Sequence, residues 1–292
     1  MTVTKNLSKA MTQMFRQLFV EAGNCPNCGK PLFRPKAKNK DGSMMQATAC
    51  PDCGWSSPIL GKNSAQAKEK QWTLIARKND ALAYFKSNSI VENKEQFSKD
   101  FNNYRLDTPL QKAAMQNAQD LVHEFLKNPP VHSLLRGKTG RGKSHLAMSM
   151  AYYYMKVSHY QKSAAFVNWP AFLKATKKGM GTNEAEAERY ANAIIAEFDK
   201  VDLLVVDDFG VDIGMKDNPN IATPYTIDVA TSLFSSRSER NLIVTTNLKA
   251  PEMQTRYGNR VVSRMLNNLD VHGMNFDSMG DYRQKQMAGA WE

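Results

Sequence analysis

In the last two-thirds of the chain, short apolar runs alternate with longer amphipathic stretches. Helical spacing of apolar residues is clearest in residues 109–127 and 143–157, and in a lysine-rich region that follows Asn168 and extends past Ala196. The apolar run after Asp202 is nearly continuous, which is typical of a parallel strand covered on both faces. The predicted strands are 132–136, 164–168, 202–206 and 241–246. This order predicts an α/β fold, with an open parallel sheet and helices on both sides.

The first hundred residues follow different patterns. Residues 24–62 have no helical period and are rich in Cys, Pro, Gly and Lys, as expected of a small module organised by a metal. A helical pattern runs from Asn63 to about Phe85, and the polar residues 86–100 predict a loose connection. Residues 7–19 predict a short helix that either packs on its neighbouring domain or docks on a partner protein. Its apolar stripe consists of Leu7, Met11, Met14, Phe15, Leu18 and Phe19.

Composition changes the picture mainly through charge. With 39 Lys and Arg against 28 Asp and Glu, the 292 residues carry a net charge of +11. Such a surplus favours contact with a polyanion, usually nucleic acid, although a lysine-rich surface gives the same number. No run approaches the ~18 apolar residues needed to cross a bilayer, and the first residues lack the apolar segment of a secretory signal. We expect a cytoplasmic protein with no membrane partner.

All four cysteines lie in two Cys-x-x-Cys pairs, each followed by a glycine: Cys25 with Cys28, and Cys50 with Cys53. Two such pairs, separated by 21 residues, supply four thiolates for a closed tetrahedral Zn²⁺ site. The glycines suit tight turns that aim backbone N–H groups at sulfur. An iron–sulfur cluster and redox-active dithiols are the alternatives. The pattern implies no open coordination position, so the predicted metal is structural.

The segment between the first predicted strand and its following helix matches the phosphate-binding pattern G-x-x-x-x-G-K-[ST] at every fixed position. Its glycines let successive N–H groups point into one concavity that holds phosphate oxygens, and the helix adds its positive end. Lys143 would reach the β- and γ-phosphates of ATP, and the Ser144 hydroxyl would ligate Mg²⁺. The predicted cofactor-binding residues are Gly137, Lys138, Thr139, Gly140, Arg141, Gly142, Lys143, Ser144 and His145.

The third predicted strand ends in two carboxylates, Asp207 and Asp208. Asp207 would hold the Mg²⁺ shell, and Asp208 would orient and polarise the attacking water. The alternative is a strand that simply ends in a polar turn. Asn247 follows the fourth strand, where an amide can hold the lytic water or sense the γ-phosphate. Alone that signal is weak, because Asn commonly ends strands.

Two basic segments are candidates for contact with nucleic acid. Residues 1–62 carry nine Lys and Arg against three acidic residues, with Phe33 and Trp55 as candidate stacking groups. For this segment DNA contact, protein docking and a solvated lysine loop stay open. The second segment would follow a single strand by phosphate contact and stacking, unless its aromatic residues belong to the core. It contains Trp169, Phe172, Lys174, Lys177 and Lys178.

Together these features resemble the bacterial and phage helicase loaders of the DnaC/DnaI type, which are AAA+ ATPases. Beyond the glycine loop, the acid pair and Asn247, the similarity includes an arginine-rich segment, residues 259–265, and the sequence Asp281-Tyr282-Arg283. It also includes the lead-in Phe101-x-x-Tyr104 with Thr108-Pro109-Leu110-Gln111-Lys112. The resemblance covers roughly residues 100–285, and the cysteine module fits the DnaI-like branch.

The resemblance implies further roles. Arg264 matches the arginine finger that reaches a neighbouring subunit's nucleotide, with Arg260 a competing candidate by proximity. Asn247 matches sensor 1, and Arg283 matches the sensor-2 arginine. The acid pair departs from the Asp-Glu common in AAA+ proteins, because Asp208 is one methylene shorter than a glutamate. Weak ATP hydrolysis, stimulated by a partner or by DNA, is therefore expected.

On this basis we expect an N-terminal zinc-binding domain (1–62), a helical linker (63–100) and an AAA+ ATPase domain with a central parallel sheet (101–292). The resemblance implies that the zinc-bearing domain binds the replicative hexameric DNA helicase. It also implies that the AAA+ domain binds ATP and single-stranded DNA during initiation of DNA replication. ATP would act as a switch that assembles subunits through Arg264, in a hexamer-scale assembly on the helicase.

Two other functions stay open. The helper ATPase of IS21-type transposons shares much of the C-terminal pattern and coats DNA as a filament. A zinc-ribbon nucleic-acid-binding protein with a vestigial ATP site is the third function, although intact Lys143, Ser144 and Asp207 argue against it. Capture of a hexameric helicase by residues 1–85 would favour the loader, whereas filaments on duplex DNA without helicase would favour the transposition helper.

Overall fold

The computed structural model describes residues 15, 17–38, 42–57, 64–127, 129–178, 184–212, 218, 220–269 and 272–280. The chain forms two compact units, Met1–Ala76 and Arg77–Glu292. The division falls inside a 24-residue helix, α1 (Ser64–Ser87), so the stretch expected to be a linker is shared between the units. Within the described ranges, no helix is both long and apolar enough to cross a membrane.

The smaller unit contains an antiparallel hairpin of β1 (Phe19–Asn24) and β2 (Pro31–Pro35). Leu32 of β2 packs with buried cysteines in a small apolar cluster that has Trp55 at its edge. A cluster of this size contributes little burial, so the fold of this part depends on its cysteines. Of the helix predicted over residues 7–19, Phe15, Gln17 and Leu18 are helical and Phe19 begins β1, whereas residues 1–14 and 16 lie outside the described ranges.

The larger unit is built on a five-stranded sheet in the order β4–β5–β6–β3–β7, with every neighbouring pair parallel. The predicted α/β class with a central parallel sheet is confirmed. The third predicted strand begins one residue later and runs three residues further than expected, and the short β7 was not predicted. The strands are β3 (His132–Arg136), β4 (Ala164–Asn168), β5 (Leu203–Phe209), β6 (Asn241–Thr246) and β7 (Gly273–Asn275).

Helices cover both faces of this sheet, and β5 shows why its sequence is apolar throughout. Leu204 and Val206 belong to one buried cluster, whereas Leu203 and Val205 belong to the other. Because successive side chains of a strand point to opposite faces, both faces of β5 are core. One face is covered by α2 (Pro109–Lys127) and α3 (Lys143–Val157), and the other by α4 (Trp169–Lys178), α5 (Glu184–Asp199), α6 (Pro224–Ser236) and α7 (Ala250–Met265).

Residues 86–100 are not the loose connection that their polar composition predicted. The Ile90 N–H donates to the Phe166 carbonyl at 2.8 Å, and the Asn168 N–H donates to the Ile90 carbonyl at 2.7 Å. This pairing covers the outer edge of β4, where unpaired backbone groups would otherwise remain. A 3-10 helix (Lys94–Ser98) follows. The segment is therefore part of the larger unit.

A buried arginine ties together chain segments at the amino ends of the strands. Arg237 ends α6 and has no solvent exposure. Its guanidinium donates to the carbonyls of Phe198 and Val201 at 2.9 and 3.0 Å, and to those of Asp202 and Asn241 at 3.3 and 2.7 Å. Burial lowers the pKa of Arg237 to about 10, so the side chain stays charged at neutral pH.

Candidate functional site

Three separate segments of the chain meet at the carboxyl edge of the sheet. The glycine loop follows β3, Asn247 follows β6, and Asp207 and Asp208 lie near the end of β5. Since the sheet order is β5–β6–β3, these strand ends are neighbours. The carboxyl edge of a parallel sheet is the usual place for ligands in such folds. The fold thus gathers residues that lie up to 110 positions apart in the sequence, the distance between Gly137 and Asn247.

Gly137 begins the loop at a point where a side chain has no room. Its φ is +146°, and a Cβ there would lie 2.9 Å from the Cβ of Phe276 and 3.0 Å from the backbone nitrogen of Asp277. The Asp277 carboxylate accepts the Lys138 N–H at 3.2 Å and pairs with Arg136 at 3.1 Å. The segment after β7 therefore positions the start of the loop. Asp277 was not foreseen, because it is more than 130 residues from the loop.

The other two glycines of the loop adopt left-handed backbone. Gly140 has φ +79° and Gly142 has φ +88°, which glycine adopts without steric cost. Gly142 is the N-cap of α3 and supplies no capping side chain. The N-cap position therefore offers no side-chain oxygen to the first N–H groups of α3, which suits an anion site at a helix N-terminus.

Lys143 lies across the loop and is only 4% exposed. Its ammonium donates to the carbonyls of Gly137 and Lys138 at 2.6 and 2.9 Å, and to Asn247 Oδ1 at 2.7 Å. The Asn247 amide nitrogen in turn donates to the Thr139 hydroxyl at 3.0 Å. Lys143 and Asn247, both predicted as site residues, are thus in direct contact. The ammonium donates to oxygen atoms, which are the kind of acceptor that a phosphate also offers.

Asp207 is completely buried and carries an incomplete set of partners. The Thr245 hydroxyl donates to its Oδ1 at 2.7 Å, whereas its Oδ2 has no hydrogen-bond partner in the described part of the chain. Burial, followed by the charge of Asp208, raises the pKa of Asp207 to about 6, and hydrogen bonds from Thr245 and Ser144 act against this. A buried carboxylate oxygen beside a serine hydroxyl fits a bound divalent cation, which prefers such oxygen ligands. The hydrogen bond between Ser144 and Asp207 thus places the two predicted Mg²⁺ ligands next to each other.

Thr245 was missed by sequence reasoning although it links both acids. Its hydroxyl donates to Asp207 and accepts the Asp208 N–H at 2.9 Å. The signal was present, because the apolar run of β6 ends in two hydroxyl residues at the edge of the sheet. Asp208 itself has φ +56°, a left-handed conformation that aspartate tolerates better than most residues. Its side chain is partly exposed.

A cavity of about 440 Å³ opens beside the loop, within the size range of small-molecule sites. The glycine-loop side of its lining comprises Thr139–His145, and Asp208 also lines it. His145 Nε2 lies 3.0 Å from the Asp100 carbonyl, and its ring meets Tyr104 edge-on at 5.2 Å. The remaining lining residues come from the segment before α2: Glu92, Gln96, Lys99, Asn103, Tyr104 and Arg105.

The four cysteines of the smaller unit converge on one point. The Sγ atoms of Cys25 and Cys53 are 3.6 Å apart, those of Cys28 and Cys50 are 3.5 Å apart, and all four lie within 4.8 Å of one another. A tetrahedral ion with Zn–S bonds of about 2.3 Å spaces its ligands by about 3.8 Å. The four-thiolate donor set and its spacing therefore fit Zn²⁺.

Both Cys-x-x-Cys turns have the same backbone geometry. The Gly29 N–H donates to the Cys25 carbonyl at 2.8 Å, and the Gly54 N–H donates to the Cys50 carbonyl at 2.9 Å. Both glycines have positive φ, +75° and +70°. Burial raises the pKa of Cys25, and N–H groups of the first turn that donate to its sulfur lower it. The expected arrangement of N–H groups aimed at sulfur is present.

Arg264 lies in the last turn of α7 and is partly exposed. Its Nε donates to the Ser235 hydroxyl at 2.8 Å, and a terminal nitrogen donates to the Arg260 carbonyl at 3.2 Å. Among the described residues, these hydrogen bonds of Arg264 do not reach the glycine loop. Arg283, the predicted sensor-2 residue, lies outside the described residues.

The stacking role considered for the aromatic residues of α4 is wrong. Trp169 and Phe172 are both fully buried and contact each other, with ring centroids 5.8 Å apart. They belong to the core on that face of the sheet. Lys174 and Lys177 are exposed on the same helix. Any contact of α4 with a polyanion would therefore be made by charge alone.

No family model and no curated protein matches the chain. Among solved structures, it is similar to a protein described as a primosome component from Streptococcus pyogenes serotype M3, at 15% identity over 68% of this chain and 97% of that chain, with a TM-score of 0.48. It is also similar to the DnaC helicase loader (16% identity, 63% and 100% covered, TM-score 0.48) and to DnaI (17% identity, 64% and 95% covered, TM-score 0.48). The loaders that the motifs resemble are thus among these structures. A likeness at this level does not identify a function.

Proposed function

We propose that the chain is an ATP-binding protein of the AAA+ type that acts as a helicase loader. The observation that carries the nucleotide site is the meeting of Lys143, Asn247 and Asp207 at the ends of three adjacent strands. Each supplies a different requirement of a nucleoside triphosphate: a cation for phosphate, an amide near the terminal phosphate, and a carboxylate for the metal. A strand that merely ended in a polar turn would not gather these three groups.

Each of these residues has a specific task in the proposed site. Lys143 exchanges the carbonyls of Gly137 and Lys138 for phosphate oxygens, while N–H groups of the loop and of α3 hold the same phosphates. Ser144 and the Oδ2 atom of Asp207 would hold Mg²⁺. When bound, the ion neutralises charge on the β- and γ-phosphate oxygens. Thr245 fixes the orientation of Asp207 through its hydroxyl.

Asp208 is the proposed base that orients and polarises the attacking water, with Asn247 as the second group on that water. The side chain of Asp208 is short and its backbone conformation is fixed by the Thr245 hydroxyl. We therefore propose weak ATP hydrolysis, to ADP and phosphate, that a partner or DNA stimulates.

The four cysteines would hold a structural Zn²⁺. All four positions of a tetrahedral ion are filled by thiolates, so no position is left for a substrate. The ion would cross-link the two Cys-x-x-Cys turns and supply the stability that the small apolar cluster of this unit lacks.

The loader assignment rests on the sequence resemblance together with this two-part organisation. The zinc-bearing unit would bind the replicative hexameric DNA helicase, and the larger unit would bind single-stranded DNA during initiation of replication. The net charge of +11 suits a DNA partner. Arg264 would complete a neighbouring subunit's site, so that ATP assembles several copies on the helicase.

Copurification of candidate partner proteins with the full chain tests whether the chain is a helicase loader. The host's replicative helicase should be retained by the wild-type chain and lost when Cys25 and Cys28 are both replaced by serine. If the chain binds ATP and forms filaments on duplex DNA but retains no helicase, this result would instead support the transposition helper. Absence of ATP binding by the wild-type chain would exclude both.

A further inference from the structure

The cavity beside the glycine loop has a wall that none of the nucleotide motifs includes. This wall comes from residues 92–105, which precede α2, and it faces the same space as Thr139–His145 and Asp208. If the proposed nucleotide site is correct, a nucleotide in the cavity contacts this wall. The charged side chains of the wall then decide how well the phosphates are held.

Three wall residues carry charge, and only one of them is suited to phosphate. Glu92 is an exposed acid that a phosphate would repel. Arg105 is paired with Asp107 at 3.5 Å, with both side chains well exposed. Lys99 is partly buried, and its ammonium donates to Gln96 Oε1 at 2.7 Å. Gln96 thus holds the Lys99 charge within the cavity wall.

The charge of Lys99 acts on two residues near the glycine loop. Burial is the main cause of the raised pKa of Asp207, and the positive charge of Lys99 opposes it. Burial lowers the pKa of His145, and the same charge of Lys99 lowers it further. Lys99 lines the same cavity as Thr139–His145 and Asp208, so its ammonium borders the space beside the phosphate-binding loop.

We infer that Lys99 is a second phosphate-binding cation of the nucleotide site, supplied by the same chain as Lys143. The edge of the sheet holds two carboxylates, Asp207 and Asp208, beside the buried ammonium of Lys143. A nucleoside triphosphate adds further negative charge, so a nearby ammonium stabilises the complex. A flexible lysine stem lets the Lys99 ammonium turn from Gln96 to a phosphate oxygen.

This role is separate from that of Arg264, which we propose acts on a neighbouring subunit. Lys99 acts within one chain, so its effect appears in a monomer and does not depend on protein concentration. It also predicts dependence on the number of phosphates, because the proposed partner of the Lys99 ammonium is a phosphate oxygen.

The test compares Lys99→Met, Lys99→Arg and Lys94→Met in the full chain with Mg²⁺ present. Lys94 is exposed at the start of the 3-10 helix whose C-cap is Lys99, and it does not line the cavity, so it is a matched control. Affinities for ATP, ADP and AMP are measured by displacement of a fluorescent nucleotide at dilute protein. Lys99→Met should weaken ATP about tenfold, ADP less and AMP not at all, and Lys99→Arg should restore most of the loss. Lys94→Met should bind as the wild type.

Two results would overturn the role of Lys99. One is wild-type affinity for ATP in Lys99→Met, and the other is an equal loss of ATP, ADP and AMP, which indicates a purely structural effect. Lys143→Ala, measured alongside, separates this inference from the proposed function. If Lys143→Ala also binds ATP normally, the nucleotide site itself is misplaced; if it loses ATP while Lys99→Met does not, only the inference about Lys99 fails.

Discussion

The Lys143 ammonium donates a hydrogen bond to Asn247 Oδ1 at 2.7 Å, which joins the glycine loop after β3 to the end of β6. The same ammonium holds two carbonyls of the loop. A residue of the phosphate loop and a residue expected to sense the γ-phosphate are thus linked before any nucleotide is considered. Occupation of the loop by phosphate would have to break or reshape this link, so Asn247 is placed to respond to it.

Replacing Lys143 by alanine should reduce ATP affinity about 100-fold or more, because the buried charge is the main cation of the loop. Zinc content should not change, since the cysteines belong to a different compact unit. Isothermal titration with ATP and metal analysis of the same preparation measure both quantities. Lys156→Ala, on the same helix and outside the cavity lining, is the control and should bind normally. Normal ATP affinity in Lys143→Ala would refute the site.

Gly137→Ala should destabilise the larger unit by about 2 kcal/mol and weaken ATP binding, because the added Cβ meets Phe276 and the left-handed side of φ space is unfavourable. Gly273→Ala is the matched control. Nothing lies within 4 Å of a Cβ at Gly273, so its effect should stay below about 0.5 kcal/mol. Urea unfolding and nucleotide titration report the two effects, and equal stability of the two variants would contradict the packing described for Gly137.

Arg264→Ala should keep the ATP affinity of the wild type and lose ATP-dependent self-association and stimulated hydrolysis. Its contacts within the chain, to Ser235 and to the Arg260 carbonyl, involve no residue of the glycine loop. Light scattering with and without ATP, together with phosphate release, gives the comparison. Arg260→Ala tests the competing candidate: loss in that variant alone would transfer the role of finger from Arg264 to Arg260.

Removal of zinc should unfold the hairpin unit and leave ATP binding intact, because the larger unit has its own two apolar clusters. Cys50→Ser should lose the ion, whereas Lys30→Ala should keep it, since the Lys30–Asp52 pair is an exposed ion pair worth less than about 1 kcal/mol. Metal analysis and circular dichroism check the prediction. A parallel loss of ATP affinity would show that the two units depend on each other.

Arg237→Met should lower the free energy of unfolding by about 3 kcal/mol, because three buried carbonyls and one partly buried carbonyl lose a donor. Arg240→Met is the control, since Arg240 forms only a partly exposed pair with Asp199 at 3.5 Å. Its effect should be within about 0.5 kcal/mol. Chemical unfolding of both variants decides the matter, and similar midpoints would contradict the structural role of Arg237.

The strands and the glycine loop could be predicted because their signals are local. An apolar run such as Leu203 to Val206, followed by polar residues, is typical of a strand covered on both faces. The loop motif fixes residue types at set spacing, and its place between β3 and α3 follows from the same short segment. Both predictions required no knowledge of residues far away in the chain.

The parts that sequence missed depend on contacts between distant segments. Ile90 joins the edge of β4 through backbone groups, which leave no trace in side-chain composition. Trp169 and Phe172 stand beside exposed lysines in the sequence, yet the face of α4 that they occupy is decided by the sheet beneath. Asp277 lies far after the loop in the sequence and Lys99 lies before it. In the structure Asp277 accepts a hydrogen bond from the loop, and Lys99 lines the cavity beside it. Periodicity within a helix or strand cannot report any of these approaches.

The backbone at Asp208 also bears on the choice of residue there. With φ +56°, this position favours the short side chains of aspartate and asparagine, which occupy left-handed backbone more readily than glutamate does. The departure from an Asp-Glu pair is therefore matched to the local conformation. An evolutionary change to glutamate would need a concerted change in the turn after β5, so residue 208 and that turn are expected to vary together.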